Sequence, residues 1–382
     1  MITSGASSLE LRFSVSIDGG NLEYSSIQMV SLSLQENMHN LASLEVAGIP
    51  PDYLAEYLNL PIVITVGVGA YGSYTFYGYI YNMVPVSRNK DGLVNNSPFQ
   101  FTTINCFGAT YPMRGDKTRS WEHYTLPQMA KELAEKYGLT VSVPNDPFVF
   151  TRLVQSEKTD WEILVTAADY LGYRVCSEGT HIDIWDPYAA LSHRGLRSLY
   201  AMSGNKGSVK TRPGQVINFT AQVSNALKTS DTLHALVDSS IVTNTFNQAS
   251  GLGITVQSIF QDEIAENAVS VDMAEAALKG RNRNKFPISA SVTVVGDPSI
   301  TPGMVVELQK YESGIDGLWL VKSARHEMFR GSAMSYLELV RDTFASQNIS
   351  PTVIAPPAPV LPEPVLKNRR WRAQTEQVYV YA

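Results

Sequence analysis

Hydrophobic and polar positions alternate along the first hundred residues. Apolar side chains occupy every second position of residues 9–17, and the pattern ends at the Asp-Gly-Gly turn of residues 18–20. A period of two is typical of a half-buried antiparallel strand. Further strand-like runs, bounded by Gly, Pro and Asn, occur at residues 26–34, 61–69, 74–86 and 98–108. Several short strands at this spacing predict a β-barrel or a β-sandwich.

The period changes near residue 120, and a helix is predicted over residues 126–137. Thr125 can cap the first turn together with Gln128, the apolar side chains fall on one face, and Gly138 ends the pattern. A hydroxyl residue followed three positions later by Gln or Glu is the signature of a capping box, and Gly favours a helix end. Both ends of this helix are therefore marked in the sequence.

Residues 154–185 repeat this plan in a second helix and a hairpin. Thr159 caps the helix, Glu162 completes the capping box and Gly172 closes the end. One apolar stripe follows the helix through Trp161, Leu164, Ala168 and Leu171. Two short strand patterns then surround a turn at residues 178–179, so an α+β unit is predicted between two β-rich regions.

Strand patterns return after residue 208 and continue to residue 345, with two interruptions. Residues 225–265 are polar and carry no clear period, whereas residues 271–280 predict a helix. Three motifs of the last block follow the order of three motifs of the first block, with residues 302–306, 317–321 and 335–339 corresponding to residues 61–64, 77–80 and 99–101. The repeated order of Pro turn, long strand, Gly-marked hairpin and aromatic strand predicts a duplicated β-barrel.

Together these patterns predict a mainly β chain with an α+β insertion, two similar β-barrel domains and an extended Pro-rich C-terminal tail. A chain of 382 residues has room for two to four domains. The predicted parts are a first barrel over residues 1–111, completed by 196–230, an inserted domain over 112–195, a second barrel over 231–345 and a tail over 346–382.

The C-terminal tail combines a spacer with a basic, aromatic segment. Residues 350–365 carry Pro at nearly every third position, which favours an extended polyproline conformation of roughly 3 Å per residue. The candidate partner-binding residues lie beyond it and are Lys367, Arg369, Arg370, Trp371, Arg372, Val378, Tyr379, Val380 and Tyr381. The basic cluster could contact phosphates or an acidic protein surface, and the alternating terminal residues could add a strand to a partner's sheet edge. The acidic chain favours a protein partner, and an unstructured tail is the remaining alternative.

Composition narrows the classes of function. The net charge is −6 and no basic stripe precedes the last fifteen residues, which argues against specific binding of nucleic acid. No run approaches the eighteen apolar residues of a membrane span, and the first ten residues lack the layout of a signal peptide, so synthesis in a cytoplasm is expected. Charged residues make up 17% while Tyr numbers 19, a balance that suits sheets and large polar interfaces.

The acids of residues 154–185 include candidates for catalysis. Glu157 with Glu178 or Asp183 could form the carboxylate pair of a glycosidase. His181 shares a strand face with Asp183 and could bind a metal or transfer a proton, but two ligands make no metal site. A hydrogen-bonded histidine on an edge strand is the simpler expectation.

The remaining motifs have structural or accidental explanations. Asp160 and Glu162 fall in the first turn of a helix, where carboxylates favour the positive end of the dipole, and Asp169 is expected to face solvent. Residues 325–330 lack the second His of a zinc-protease helix, and residues 108–118 lack the spacing of a phosphate-binding loop.

The two cysteines, Cys106 and Cys176, lie far apart without metal-ligand spacing. They predict neither a disulfide framework nor a zinc site, and both are expected to be buried small apolar residues. No catalytic, cofactor-binding or metal-binding residue is therefore assigned, and the chain is not expected to be an enzyme.

The order of the elements resembles the central hub proteins of contractile phage baseplates, including late control proteins, and the hub region of valine-glycine-repeat proteins of type VI secretion. The residues that carry the resemblance are Gln155-Ser156-Glu157, Thr159-Asp160-Trp161-Glu162-Ile163-Leu164, Ala168, Leu171-Gly172-Tyr173 and Thr180-His181-Ile182-Asp183-Ile184. Residues 126–139 are similar to the helix that opens the family's inserted domain, and residues 294–328 are similar to its final barrel. The resemblance covers residues 1–345.

The resemblance implies a structural hub in the baseplate of a virion tail, without enzymatic activity or cofactor. Two barrels per chain would let three chains form a ring with pseudo-six-fold symmetry that joins a hexameric tail tube, or its initiator, to a separate trimeric spike. The C-terminal tail would contact baseplate wedge or other tail proteins. A cell-wall glycan hydrolase and a carbohydrate-binding tail-tip adhesin are the alternatives, and a phage tail is not distinguished from another contractile injection system.

Overall fold

The computed structural model describes residues 11–22, 26–47, 54–69, 72–88, 99–193, 196–200, 213–223, 231–237, 240–246, 263–265, 286–309 and 315–341. Within these ranges the chain folds mainly into strands, which confirms the predicted class of a mainly β chain with an α+β insertion. None of the helices in these ranges is long and apolar enough to span a membrane.

The first block (residues 11–108) consists of strands and one short helix. In chain order these are β1 (Leu11–Ile17), β2 (Gly20–Asn21), β3 (Ile27–Gln35), β4 (Leu41–Ala47), α1 (Leu54–Tyr57), β5 (Pro61–Val68), β6 (Gly72–Arg88) and β7 (Phe99–Gly108). The strands predicted over residues 26–108 are confirmed, with ends shifted by one or two residues. Phe13, Val15 and Ile17 of β1 are buried because a period of two turns them to the same face.

The inserted domain (residues 111–193) begins with a 3-10 turn (Tyr111–Arg114). There follow β8 (Asp116–Thr125), α2 (Leu126–Lys136), β9 (Thr140–Ser142), β10 (Val149–Thr159), α3 (Asp160–Tyr170), β11 (Arg174–Glu178), β12 (His181–Trp185) and α4 (Pro187–His193). β8 and β10 form an antiparallel ribbon, whereas β12 lies between β11 and β9 and runs parallel to β9. Helices α2 and α3 and both sheets enclose one core that contains Trp121 and Trp161.

Both helices predicted in the inserted domain are confirmed. At the start of α2, Thr125 and Gln128 form a complete capping box, and at the start of α3 Thr159 and Glu162 do the same. Gly172 follows α3 at a φ of 83°, a conformation in which a residue without a Cβ is favoured. The predicted stripe of α3 is buried throughout, at Trp161, Leu164, Ala168 and Leu171.

The second block contains the remaining strands. They are β13 (Leu196–Tyr200), β14 (Val216–Val223), β15 (Asp231–Val237), β16 (Ser240–Phe246), β17 (Glu263–Ala265), β18 (Ile288–Val295), β19 (Val305–Gln309), β20 (Gly317–Phe329) and β21 (Ser332–Arg341). β15, β16 and β17 form a separate three-stranded sheet between β14 and β18 in the chain.

The strand order is repeated in the two blocks. The first block has the order β3-β4-β7-β6-β5-β1, and the second has the order β14-β18-β21-β20-β19-β13. Neighbouring strands are antiparallel in both series, except that β13 runs parallel to β19. The repeat confirms the predicted duplication, because β5, β6 and β7 take the places of β19, β20 and β21.

One strand joins the two blocks into a single thirteen-stranded sheet. The first residues of β20, up to Leu320, pair with β19, whereas its last residues, from Ser323 to Phe329, pair with β3. Lys322 lies between these two pairings, at an irregularity in the ladder with β21. β20 therefore changes its partner at Lys322.

Two groups of strands have partners that the sequence did not indicate. Within residues 196–230, β13 and β14 pair with β19 and β18. The described strands within residues 231–265 pair with one another. Periodicity identifies a strand but not its neighbour, which is decided by contacts distant in sequence. The helix predicted at residues 271–280 and the tail at 346–382 lie outside the described residues.

Gly78 permits a close approach between β6 and β7. It pairs with Gly108, and a Cβ at residue 78 would overlap the carbonyl oxygen of Phe107 and the ring of Phe76. Only a residue without a side chain fits at this position, so the first block depends on this glycine.

Candidate assembly interface

The sequence-predicted partner residues of the tail lie outside the described part of the chain. They are Lys367, Arg369, Arg370, Trp371, Arg372, Val378, Tyr379, Val380 and Tyr381. Their role stays a prediction, and the described residues supply other candidates for chemistry and for contacts.

Asp160 is buried, and the interpretation of its carboxylate as a first-turn acid at the end of a helix dipole was incomplete. The residue is 2% exposed. Its Oδ2 accepts hydrogen bonds from Lys136 Nζ at 2.5 Å and Tyr137 Oη at 2.6 Å, and Gln155 Nε2 donates to Oδ1 at 2.9 Å. Burial alone would raise the pKa of Asp160, but these three donors outweigh it and hold the pKa below its usual value. Asp160 therefore fastens α3 to α2 and β10.

The other helix acids have the structural roles expected of them. Glu162 accepts a hydrogen bond from the Thr159 amide at 2.8 Å, and this bond is the main reason that the pKa of Glu162 lies below its usual value. Asp169 is half exposed and binds Arg174 Nη1 at 2.6 Å. Each carboxylate stabilises the fold through a defined partner.

The proposed glycosidase pair is divided between two sheets. Glu157 is exposed at an irregularity of the β8–β10 ribbon, with a φ of 52°, whereas Glu178 and Asp183 belong to the β11–β12–β9 sheet. Across the part of the chain that the structure describes, no three His, Cys, Asp or Glu side chains come together as metal ligands.

His181 and Asp183 form a hydrogen-bonded row with two hydroxyl residues of β9. His181 Nδ1 lies 2.7 Å from Thr140 Oγ1, and His181 Nε2 lies 3.1 Å from Ser142 Oγ. Ser142 Oγ donates to Asp183 Oδ1 at 2.5 Å. The expectation of a hydrogen-bonded histidine is confirmed, but its strand is central rather than at an edge. Since the serine proton is directed to the carboxylate and not to the imidazole, the row lacks the arrangement of a serine nucleophile and its base.

The two segments that partly match a zinc-protease motif and a phosphate-binding loop lie mainly in strands. Residues 325–330 belong to the end of β20 and the turn after it, and His326 is fully buried with its ring nitrogens 2.7 Å from Ser335 Oγ and 2.9 Å from the Ile300 carbonyl. Residues 108–118 run from β7 through a 3-10 turn into β8. Neither segment has the helix that a zinc-protease or phosphate-loop site requires.

The loop that joins β3 to β4, residues 36–40, attaches the inserted domain to the first block, and we call it the docking loop. The amide of Asn37 donates to the Val175 carbonyl at 2.6 Å, and the Val175 amide donates to Asn37 Oδ1 at 2.9 Å. Trp161 Nε1 donates to the Asn37 carbonyl at 3.3 Å. Asn37 has a φ of 62°, a conformation that Asn tolerates better than most residues.

His39 and Asn40 hold the other end of the docking loop. His39 Nδ1 lies 2.7 Å from Thr110 Oγ1, and its ring packs on Trp161 with a centroid distance of 4.9 Å. Burial lowers the pKa of His39 to about 4, so its ring is neutral at neutral pH. The Asn40 side chain donates to the Ser177 carbonyl. The end of the docking loop is thus also held to the start and to the β11–β12 hairpin of the inserted domain by polar contacts.

The hairpin β11–β12 also contacts the second block. Cys176 and Trp185 pack with Ala190, Val305 and Leu320 in one small apolar cluster. The Trp185 Nε1 donates to Cys176 Sγ at 3.1 Å. Cys176 and Cys106 are both buried, as the sequence predicted. The inserted domain is therefore fixed between the two blocks rather than attached to one of them.

An exposed aromatic surface lies on the face of the first block opposite its buried core. We define it by Leu41, Tyr79, Tyr81, Phe107, Tyr111 and Arg114. Leu41 and Tyr81 are both 39% exposed. Phe107 stacks on Tyr111 at 5.1 Å and contacts Tyr81 at 4.4 Å, and the Arg114 guanidinium lies 4.5 Å above the Phe107 ring. Tyr, Phe and Arg are enriched at the centres of protein interfaces, where a few residues contribute most of the binding free energy.

Sequence reasoning missed both the docking loop and the aromatic surface. The loop sequence Glu-Asn-Met-His-Asn indicates a turn, but its partners Trp161, Val175 and Ser177 lie more than one hundred residues away. The residues of the aromatic surface come from β4, β6, β7 and the 3-10 turn, and only the pairing of these strands brings them together. The available signal was strand alternation, since Tyr79 and Phe107 each stand next to a small or aliphatic residue, Ile80 and Cys106, that is buried.

Several solved structures have this fold. The tail protein of Neisseria meningitidis MC58 superposes with a TM-score of 0.62 at 13% identity, covering 87% of this chain and 96% of that one. The 43 kDa tail protein of prophage MuSo2 from Shewanella oneidensis gives 0.59 at 17% identity, covering 87% and 99%. The E. coli c3393 protein, a type VI secretion component similar to two bacteriophage T4 tail proteins, gives 0.54 at 10% identity, covering 88% and 78%.

No protein-family model and no curated protein sequence matches this chain. At 10% to 17% identity the structural likeness establishes a common fold. It confirms, at the level of the fold, the resemblance drawn from the order of elements along the sequence.

Proposed function

We propose that this chain is a structural hub in the baseplate of a phage-like tail and forms a homotrimeric ring. The observation that carries the proposal is the duplicated strand order, with both copies joined in one sheet. Three such chains would present six similar blocks, so the ring could match a six-fold tail tube on one face and a trimeric spike on the other. The fold that the chain has in common with tail proteins supports this role.

The aromatic surface is the contact we assign to assembly with other tail subunits. Its Tyr and Phe rings are partly exposed, and its guanidinium already lies on an aromatic face. Burial of such a surface against a partner is favourable, because it removes apolar area from water. The low charge of the chain agrees with large subunit contacts, because charged residues are depleted at the centre of interfaces.

The C-terminal tail is a second contact in this proposal. Its basic residues, Arg369, Arg370 and Arg372, would meet an acidic protein surface around Trp371, and residues 378–381 would add a strand to a partner's sheet. Removal of residues 367–382 is expected to abolish binding of that partner while the ring of three remains.

The mass and shape of the purified protein test the proposal. Light scattering is expected to give the mass of three 42.0 kDa chains, and electron microscopy is expected to show a ring with three-fold symmetry that binds tube and spike proteins. A chain that stays monomeric at micromolar concentration, alone and with tube protein, would overturn the hub.

A pair of variants tests the aromatic surface separately. Tyr81→Glu places a charge in the surface and is expected to weaken assembly at least about tenfold. Val154→Glu is the matched control, because Val154 is half exposed on the β8–β10 ribbon of the inserted domain. Equal assembly of the two variants would show that the contacts lie elsewhere.

The glycan hydrolase remains the enzymatic alternative, and its test uses the same preparation. Clearing of peptidoglycan by a monomer, lost in Glu157→Gln, would favour the hydrolase over the hub. Binding of glycans through exposed tyrosines without clearing would favour the adhesin.

A further inference from the structure

Glu36 lies where the three parts of the described chain meet. Its backbone N–H, in the docking loop, donates to the Lys322 carbonyl at 3.2 Å, at the point where β20 changes its partner. Its carboxylate lies 3.7 Å from the guanidinium of Arg174 on β11, and its side chain is only 12% exposed. One residue of the first block therefore contacts both the second block and the inserted domain.

The charges around Glu36 do not balance when its carboxyl is ionised. The groups that face it are Arg174 on β11, Lys322 on β20, Asp169 on α3 and Glu338 on β21. Three carboxylates then face two cations. The guanidinium is also shared, because Arg174 lies 2.6 Å from Asp169 and 3.7 Å from Glu36. A single proton on Glu36 makes the group neutral.

The surroundings favour that proton. Burial is the largest effect on the pKa of Glu36 and raises it from 4.5 to about 7, while Arg174 and Lys322 oppose the shift and Asp169 and Glu338 add to it. A carboxyl whose pKa is higher in the docked state stabilises that state at low pH. This stabilisation is lost as the pH rises through about 7.

We propose that Glu36 is a proton-controlled catch, which holds the inserted domain tightly against the two blocks while it is neutral and loosens that contact when it ionises. Asn37, the next residue, couples the charge to the contact, because both of its bonds to Val175 lie beside Arg174. Hydrating an ionised Glu36 requires the docking loop to move away from β11, and this movement breaks those bonds. The catch belongs to the chain itself and does not depend on the proposed ring.

Amide hydrogen exchange of the full chain tests the catch. Exchange is compared at about pH 6 and about pH 8.5, after correction for the intrinsic rate, in peptides that cover residues 36–40 and 174–178. With a pKa that falls from about 7 to 4.5 on opening, the opening equilibrium is expected to rise roughly tenfold between these pH values. Helix α2 is the internal reference, since its exchange does not require the docking loop to move.

Two variants separate the catch from a general effect of pH. In Glu36→Gln, residue 36 is neutral at every pH. Its opening equilibrium is therefore expected to change by less than about twofold over the same pH range. Asp169→Asn removes a carboxylate that competes for Arg174, so the midpoint of the response is expected at a lower pH than in the wild type. Any of three results contradicts the proposal: a wild type that lacks the response, a response that persists in Glu36→Gln, or a midpoint in Asp169→Asn that equals that of the wild type. Since Asp169 is half exposed, its variant keeps the test decisive even if Glu36→Gln does not fold.

Discussion

Asn37 is paired with Val175 at two points, although the residues are 138 positions apart. The backbone amide of Asn37 donates to the Val175 carbonyl, and the Val175 amide donates to the side-chain oxygen of Asn37. The side chain thus takes the place of a backbone carbonyl in a strand pair. This arrangement lets a loop, rather than a strand, attach the inserted domain to the first block.

Replacing Asn37 is expected to weaken the contact between the docking loop and the inserted domain through two separable effects. Asn37→Ala leaves the Val175 amide without its acceptor, which costs about 1–3 kcal/mol, and strains a backbone with positive φ by about 1 kcal/mol more. Asn37→Gly keeps the backbone conformation free of strain and loses only the acceptor. Thermal unfolding is expected to rank the wild type above Asn37→Gly and Asn37→Gly above Asn37→Ala; equal midpoints for all three chains contradict the role of the pair.

Asp160→Asn is expected to destabilise the inserted domain at neutral pH. Because the pKa of Asp160 is held below its usual value of 3.8, its ionised form stabilises the fold above that pH, and this advantage is lost as the pH falls below about 3.8. The free energy of unfolding at pH 7 is expected to fall by about 2 kcal/mol. The loss is not larger because Lys136 is half exposed and solvent screens its interaction with Asp160. Urea unfolding at pH 7 and pH 3 measures it, with the exposed Glu122→Gln as the control that should change little.

His326 is expected to make the second block sensitive to acid. Its Nε2 must carry the proton, since the Ile300 carbonyl can only accept, and Nδ1 then accepts from Ser335. Burial lowers the pKa of His326 from 6.5 to about 4, so stability is lost as the pH falls from 6.5 towards 4, by about 3 kcal/mol. Unfolding of His326→Gln over this range should show a smaller loss than the wild type, and parallel curves would argue against the assignment.

Gly78→Ala is expected to disrupt the first block. The new methyl group would overlap the Phe107 carbonyl oxygen across the β6–β7 ladder, and backbone atoms in a ladder cannot move away cheaply. A loss of about 3 kcal/mol or more is expected. In Gly115→Ala the methyl group meets only the flexible Lys117 side chain, so its melting temperature should match the wild type.

The features that the sequence predicted are those decided within a few residues. The capping boxes at Thr125 and Thr159 join positions three apart, and the end of α3 at Gly172 requires only a local backbone conformation. Strand alternation likewise needs one burial face and no knowledge of the neighbour. The repeated order of three motifs gave the duplication, because both copies carry the same turns at similar spacing.

What the sequence did not predict depends on partners that are distant along the chain. Asp160 was predicted only as a first-turn acid, yet its buried carboxylate accepts hydrogen bonds from Lys136 and Tyr137 at the end of α2. β13 and β14 looked like part of the first block, yet they pair with β19 and β18. These partners lie much further along the chain, and no local pattern marked them. The docking loop is the clearest case, since its sequence shows a turn and nothing of Val175.

The change of partner in β20 determines how the chain carries tension. Seven residues of β20, from Ser323 to Phe329, are paired with β3, and the two strands lie side by side in the sheet. A pull that separates the blocks along the strand direction strains these hydrogen bonds together, in shear, whereas a pull across the sheet opens them one after another from an end. The joint therefore has a strong axis and a weak axis, and the strong axis follows β20.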